Sequence, residues 1–391
     1  MGGLSRRRHA ALHAGRPRVL HTSIPTSEGT AGVLLTYVKD QVERGWSVTV
    51  ACPSEGWLGY SAREVGAEVL WFDATREPGP SVAEEVGRYA RIVAEVEPDL
   101  VHLHSSKAGL VGRLAVRSEV PTIFQPHGWS FLAGNGLKSR LATRWERWAA
   151  RRWTDQLICV SDGEAAMGRE HGVLAPVSVV PNGVDLERFT LTDTDERREA
   201  RRALGLHERA PTAVCIGRLS AQKGQHVLLD AWPAVLRELP DARLVLVGSG
   251  PDEAELRERA ASLEGVQMVG PRSDVPTWLS AADVVVFPSQ YEGAALAPME
   301  AMAAGRSVIA SWIEGIEESL PYECGAMVRP DRPDEFAEAI LTRLGNPEAA
   351  DAEGMRGWRH VLSTRDAAES ARRVSQLSLS LVESRPRRRG P

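Results

Sequence analysis

The sequence is poor in residues that staple, chelate or span. Its four cysteines, Cys52, Cys159, Cys215 and Cys324, stand singly, with no C-x-x-C and no histidine at metal-ligand spacing. A disulfide framework and a structural zinc module are excluded, and reduced, buried thiols are expected. No run of about 18 apolar residues occurs, and the basic segment 1–16 is not followed by an apolar stretch. Neither a membrane span nor a secretory leader is expected. Gly2 lacks the hydroxyl residue four positions on that myristoylation requires, because that position is Arg6. Positive charge is not in excess either: a net charge of −5 and a pI near 6.1 argue against a nucleic-acid partner. Arginines crowd locally instead, in 1–16, 138–152 and 385–389. No strand carries a complete G-x-G-x-x-G, since Glu253 stands where Gly248-Ser249-Gly250 would need its third glycine, which disfavours an NAD-dependent oxidoreductase. The one D-x-D, Asp193-Thr194-Asp195, follows no apolar strand and reads as a helix cap.

What is present is a long alternation. At roughly 150 residues per domain, 391 residues suggest two domains and therefore a cleft. From Arg18 short apolar runs alternate with amphipathic stretches, the pattern of an α/β protein with parallel sheets. Strands are expected at 18–23, 47–52, 67–72, 100–103, 121–125, 156–160 and 177–180, with helices at 31–44, 81–96, 108–119, 137–152 and 162–172. A second series of strands follows at 212–217, 243–248, 266–269, 283–287, 307–310 and 325–328. The fold class is thus two doubly wound Rossmann-like domains facing a cleft. The expected organisation is a disordered basic terminus at 1–16, a first Rossmann-like domain at 17–182, a linker at 183–195 and a second Rossmann-like domain at 196–362. A helix at 363–384 returns to the first domain, and 385–391 form a basic tail. After Pro347 the chain reads as helix to Glu383, with Val374, Leu377 and Leu381 as one apolar stripe.

In open α/β sheets ligands bind beyond the carboxyl ends of strands, so the loops there are where chemistry is sought. Pro25–Gly32 is small and flexible, open to a phosphate or to a plain turn. His102, His104, Ser105, Ser106 and Lys107 follow the fourth strand; the alternating histidines are read as pointing to opposite faces, which leaves one of them to the core or to solvent. His127 sits beside Gly128 at the end of the fifth strand. In 217–224 Arg218 supplies a forked cation and Lys223 a point-like one, a pair suited to a diphosphate. The stretch 284–305 runs from an apolar strand through Pro288-Ser289 into a helix near Ala295, with Glu292 before that helix and Glu300 inside it. Free N–H groups and a helix dipole between two carboxylates suit a diphosphate or a sugar edge, although an isolated E-x7-E is more often surface charge.

Taken together, GRLSAQKG at 217–224, VGSGP at 247–251, ADVVVFPS…EGAALAPMEAMAAG at 282–305 and VSVVPNGVD at 177–185 resemble the family-four glycosyltransferases, retaining sugar-nucleotide enzymes of the GT-B fold. HSSKAGLVGR at 104–113 is similar to members that build capsule and exopolysaccharide. The resemblance implies that Arg218 and Lys223 bind the donor diphosphate, Glu300 holds the ribose, and Glu292 and His127 face the donor sugar as catalytic groups. It also implies donor contacts from Gly29, Gly248, Ser249, Gly293, Ala295 and Leu296. On the same resemblance 17–182 is the acceptor-side domain and 196–362 the nucleotide-sugar-binding one, with Ser105 and Lys107 assigned to the acceptor. Three positions depart from the family pattern: Glu28-Gly29 stands in place of two glycines, Gly305-Arg306-Ser307 in place of G-x-P, and Gly45-Trp46 in place of glycine-histidine. The second is expected to affect only a turn.

The implied reaction is metal-independent transfer of a hexose-type sugar, with retention, from a UDP- or GDP-sugar to a hydroxyl acceptor. No cofactor beyond the donor substrate is expected. The segment 136–153, read as helix, places Leu137, Leu141, Trp145 and Trp148 along one face, and Lys138, Arg140, Arg144, Arg147 and Arg151 largely on others. It is open either to an anionic membrane surface and a lipid-linked glycan acceptor or to simple core packing. A cytoplasmic protein, peripheral at the inner face of a membrane if that helix binds, follows from the former. The alternatives are a nucleotide-sugar epimerase of related fold and a non-catalytic nucleotide-sugar-binding protein.

Overall fold

The computed structural model describes residues 16–27, 29–132, 136–292, 295–313 and 315–384. Glu28, Gly293 and both basic ends, 1–15 and 385–391, lie outside them. The chain forms two compact units, one taking residues up to Asn182 and again from Ala367, the other spanning Gly183–Asp366.

The first unit is a seven-stranded sheet in the order β3-β2-β1-β4-β5-β6-β7, all parallel. Its strands are β1 Arg18–Ser23, β2 Ser47–Cys52, β3 Glu68–Trp71, β4 Leu100–His104, β5 Thr122–Gln125, β6 Gln156–Cys159 and β7 Val177–Val179. Its helices are α1 Gly29–Glu43, α2 Leu58–Glu64, α3 Val82–Val96, α4 Ser106–Val116, α5 Leu137–Trp153 and α6 Asp162–Glu170. The second unit repeats the plan with β8 Thr212–Ile216, β9 Arg243–Val247, β10 Val266–Gly270, β11 Val284–Phe287, β12 Ser307–Ser311 and β13 Gly325–Val328, ordered β10-β9-β8-β11-β12-β13. Its helices are α7 Thr194–Ala203, α8 Gln225–Glu238, α9 Glu253–Ala261, α10 Val275–Ala281, α11 Leu296–Ala303, α12 Pro333–Leu344 and α13 Pro347–Thr364. A last helix, α14 Ala367–Ser384, belongs to the first unit. There Ser370 donates to the Pro181 carbonyl at 2.8 Å and Ser375 to Asp40 of α1 at 2.5 Å.

The strands form where β-branched and leucine runs are buried on both faces, as covered parallel sheets require. In β11, Val284 and Val286 enter one core layer while Val285 and Phe287 enter the other. In β9, Leu244 and Leu246 separate from Val245 and Val247 in the same way. Each such side chain contributes about 1.5–3 kcal/mol by leaving water. Pro288 ends β11, because it has no N–H for the ladder.

Three expectations change. The short helix α2 adds an element between the second and third strands. The C-terminal helix is two helices, broken at Arg365-Asp366, where Val184 N–H donates to the Arg365 carbonyl; the buried stripe of α14 is Ala367, Ser370, Ala371, Val374, Ser375 and Ser378. Residues 183–195 pack as part of the second unit, with Val184 and Phe189 in its core and Asp193 capping α7 through a capping box with Glu196.

Candidate active site

In both sheets the strand order reverses beside the first strand, between β1 and β4 and between β8 and β11, which is where open α/β sheets leave room for ligands. In the second unit three loops meet at that reversal. The loop after β8 carries Arg218 and Lys223, the loop after β9 carries Gly248 and Ser249, and the loop after β11 carries Glu292. Leu219 N–H donates to the Ser249 carbonyl at 2.9 Å, and Gln290 N–H to the Gln222 carbonyl at 2.7 Å. Glycine is required at two of these crossings. A Cβ on Gly248 would stand 1.9 Å from the Gly217 oxygen, and one on Gly224, whose φ is +67°, 2.1 Å from the Pro288 oxygen.

The packed loops bring two of the expected catalytic residues into contact. Lys223 Nζ pairs with Glu292 Oε1 at 2.5 Å, and Ser289 Oγ donates to the same oxygen at 2.7 Å. One of the three ammonium protons is thus committed, and the other two have no partner among the described residues. The exposed Arg218 sits on the same loop, whose shape is set by buried Gln225: its Nε2 donates to the Arg218 carbonyl at 2.9 Å and its Oε1 accepts from Ser220 N–H at 3.4 Å. Gln225 is a residue that motif reading overlooked. Ala295 and Leu296 open α11 without a side-chain cap, leaving first-turn N–H groups available to an anion. One turn on, Glu300 is half-buried; desolvation pushes its carboxyl up to about 7, against the opposing pull of Arg188. Gly293 lies outside the described residues.

In the first unit the reversal is lined by histidine. His21 on β1 is in register with His102 on β4, and both are fully buried, as is His104. The expectation of opposite faces is corrected here: residues two apart share a face of a strand, and the His102 and His104 rings stack with centroids 4.0 Å apart. Tyr37 and Gln41, one turn apart on α1, cover them; Tyr37 stacks on His102, and Gln41 Oε1 accepts from His21 at 2.8 Å. Ligand atoms of His21, His102 and His104 lie within 4.8 Å of one another, a donor set of the kind zinc accepts. Here, however, His21 Nδ1 and His104 Nε2 already face each other at 3.1 Å, a hydrogen-bond distance.

His127 extends this cluster, its Nε2 lying 3.2 Å from His104 Nδ1. Its backbone is left-handed, with φ +51° followed by +107° at Gly128, and the turn is held by Glu164, which accepts from Gly128 N–H at 2.6 Å and from Val160 N–H at 2.8 Å. Desolvation pulls the His127 imidazole down to about 3, so the ring is neutral. Gly29 opens α1 at the end of the loop after β1 and is exposed.

Two acceptor assignments meet contrary geometry. Lys107 is buried and spends its three protons on Glu85 at 2.7 Å, Thr75 at 3.2 Å and the Glu77 carbonyl at 3.1 Å; it ties α4 to α3 rather than presenting a cation. Ser105, at φ +75°, has a buried hydroxyl with no partner among the described residues. Arg306 does more than shape a turn. It is buried and donates to the carbonyls of Ala304, Ala282 and Thr192, the last at 2.6 Å, tying residues 183–195 to the sheet. On α5 the buried face is Glu146, Ala149 and Ala150, Glu146 pairing with Arg113 at 2.8 Å. Leu137, Leu141 and Trp148 are instead 71%, 58% and 44% exposed. No helix among the described residues is long and apolar enough to cross a membrane.

Residues 27–188 match the family model for glycosyltransferase family 4, and residues 210–346 the model for glycosyl transferases group 1. The chain is 31% identical over 384 residues to the GDP-mannose-dependent alpha-(1-6)-phosphatidylinositol monomannoside mannosyltransferase of Mycolicibacterium smegmatis, covering 92% of this chain and 97% of that one. It is also 31% identical over 263 residues to the Escherichia coli UDP-Gal:alpha-D-GlcNAc-diphosphoundecaprenol alpha-1,3-galactosyltransferase, covering 64% and 67%. HepE of Anabaena, solved with UDP and glucose, superposes with a TM-score of 0.81 at 22% identity, over 93% of this chain and all of that one. WaaG, a glycosyltransferase of lipopolysaccharide biosynthesis, does so at 0.74 and 18%, over 92% and 99%. With its two Rossmann-like units and a relative matched almost from end to end, this chain belongs to the family-four glycosyltransferases of GT-B fold.

Proposed function

We propose that this glycosyltransferase moves a hexose from a UDP- or GDP-sugar to a hydroxyl of a lipid-linked acceptor, retaining anomeric configuration and using no metal. The observation that carries the reading is the Lys223–Glu292 pair at the β8/β11 reversal, braced by Ser289. As the bond from the anomeric carbon to the phosphate oxygen breaks, negative charge grows on the diphosphate. Lys223, Arg218 and the first-turn N–H groups of α11 meet it. The acceptor hydroxyl adds on the same face, and its proton passes to the departing phosphate oxygen. Glu292 and His127 position the sugar, and Glu300 accepts from the ribose hydroxyls. A preorganised donor at developing charge supplies on the order of 10²–10³ in rate.

Release of nucleoside diphosphate from UDP- and GDP-sugars by Arg218→Ala and Glu292→Ala tests the assignment. Both should fall by that order, and parent-like turnover overturns it. Activity in EDTA should be undiminished; loss there returns the reaction to a metal.

The acceptor class is supported by α5, whose Leu137, Leu141 and Trp148 are exposed among arginines, with Leu132 58% exposed just ahead of the helix, an arrangement suited to an anionic interface. Relatives whose names specify undecaprenol-linked and phosphatidylinositol-linked acceptors point the same way. Flotation with phosphatidylglycerol vesicles should carry the protein upward, and Leu137→Glu with Leu141→Glu should abolish it. A parent that stays unbound removes the membrane from the reading.

A further inference from the structure

Three histidines of the first unit, His21, His104 and His127, are joined end to end. Gln41 Oε1 lies 2.8 Å from His21 Nε2, His21 Nδ1 lies 3.1 Å from His104 Nε2, and His104 Nδ1 lies 3.2 Å from His127 Nε2. Gln41, His21 and His104 are completely buried. Desolvation keeps the rings neutral, with His21 lowered to about 4 and His104 well below its ordinary value. A neutral imidazole has one N–H and one lone pair. The orientation at the closed end of such a chain therefore dictates every ring beyond it. Because Gln41 presents its carbonyl oxygen, His21 carries its proton on Nε2 and a lone pair on Nδ1. His104 must then donate from Nε2 and accept at Nδ1, and His127 must donate from Nε2. Nδ1 of His127 is left with a lone pair and no partner among the described residues.

We propose that Gln41 is a positioning residue that, through His21 and His104, fixes the tautomer of His127, so that His127 meets the donor sugar as a hydrogen-bond acceptor. The second half rests on the assignment of His127 to that sugar. A bare Nδ1 takes a hydrogen bond from a sugar hydroxyl and finds none in a carboxylate or phosphate oxygen.

Long-range 1H–15N correlation spectra of protein labelled with 15N-histidine test the chain directly. In the parent, His21, His104 and His127 should each show a protonated Nε2 and a bare Nδ1. Gln41→Met keeps the side chain's length and removes the acceptor. In it His127 should become a mixture of tautomers and turnover should fall about tenfold, the worth of one neutral hydrogen bond. The thermal shift caused by UDP or GDP should persist, because the diphosphate groups lie in the other unit. A parent His127 protonated on Nδ1, or a His127 signal unmoved by Gln41→Met, overturns the proposal. So does a stoichiometric transition metal in elemental analysis that is lost in His102→Ala. The parent spectrum decides the tautomer even if Gln41→Met does not fold. Full turnover in His127→Ala with the tautomers as expected sinks the sugar assignment and leaves the chain standing.

Discussion

At the reversal between β1 and β4 the first unit places four neutral rings, three of them fully buried; at the matching reversal between β8 and β11 the second unit places an ion pair, Lys223 with Glu292, at 29% and 10% side-chain exposure. The backbone plan is shared, strand for strand, up to the seventh strand of the first sheet. The fold sets where a ligand can sit, and the side chains at that point set what can be done to it. Charge in the second unit suits a diphosphate. The neutral cluster in the first offers directed lone pairs and N–H groups.

The sharpest way to break this contrast is to remove the charge. Lys223→Met and Glu292→Gln should each lower turnover by about 10²–10³. The double variant should lose far less than the product of the two, because each single change leaves a half-buried partner unpaired. A double variant whose loss is strictly multiplicative would show two independent groups rather than one pair.

A smaller effect is expected from Glu300, whose carboxyl is pushed up to about 7 from 4.5 by burial. Between those values the native state holds a proton that the unfolded chain has released, so stability should fall as pH rises through this window and level off above about 7. Glu300→Gln should flatten the curve and stabilise the protein at pH 8 by about 2 kcal/mol, below the full ~1.36 kcal/mol per pH unit because the carboxyl is half-buried. Thermal or urea melts across pH 4 to 9 read this. If the ionised carboxylate holds the ribose, nucleoside diphosphate should also bind more tightly as pH rises through 7 in the parent and not in the variant. Parallel curves for the two would remove Glu300 from this role.

How legible this contrast is in the sequence differs between the halves. The charged site is local: Arg218, Lys223, Glu292 and Glu300 follow apolar runs cut by glycine or proline, so strand ends and helix starts mark them. The histidine cluster is not local. His21 meets His102 across a parallel pairing 81 positions apart in sequence, and nothing near His21 advertises it. Lys107 misleads for the same reason, since a cation at a helix start looks available until Glu85, on another helix, is brought to 2.7 Å. Glu164 and Gln225 escape notice because each works by holding backbone from loops that only the fold assembles. The helix α2, seven residues between Trp57 and Val65, is too short for a 3.6-residue period to stand out.

The contrast can be tested most finely through pH. His127 is pulled down to about 3 and stays neutral from pH 5 to 8, so its share in turnover cannot depend on pH there. His127→Ala should run about tenfold below the parent, the worth of one neutral hydrogen bond, with the ratio of the two constant across that range. Both profiles should bend together near 7, where Glu300 titrates. A ratio that grows as pH falls from 7 to 5 would mean that an imidazolium does the work. The first unit would then carry charge at its reversal as the second does, and the division of labour between them would fail.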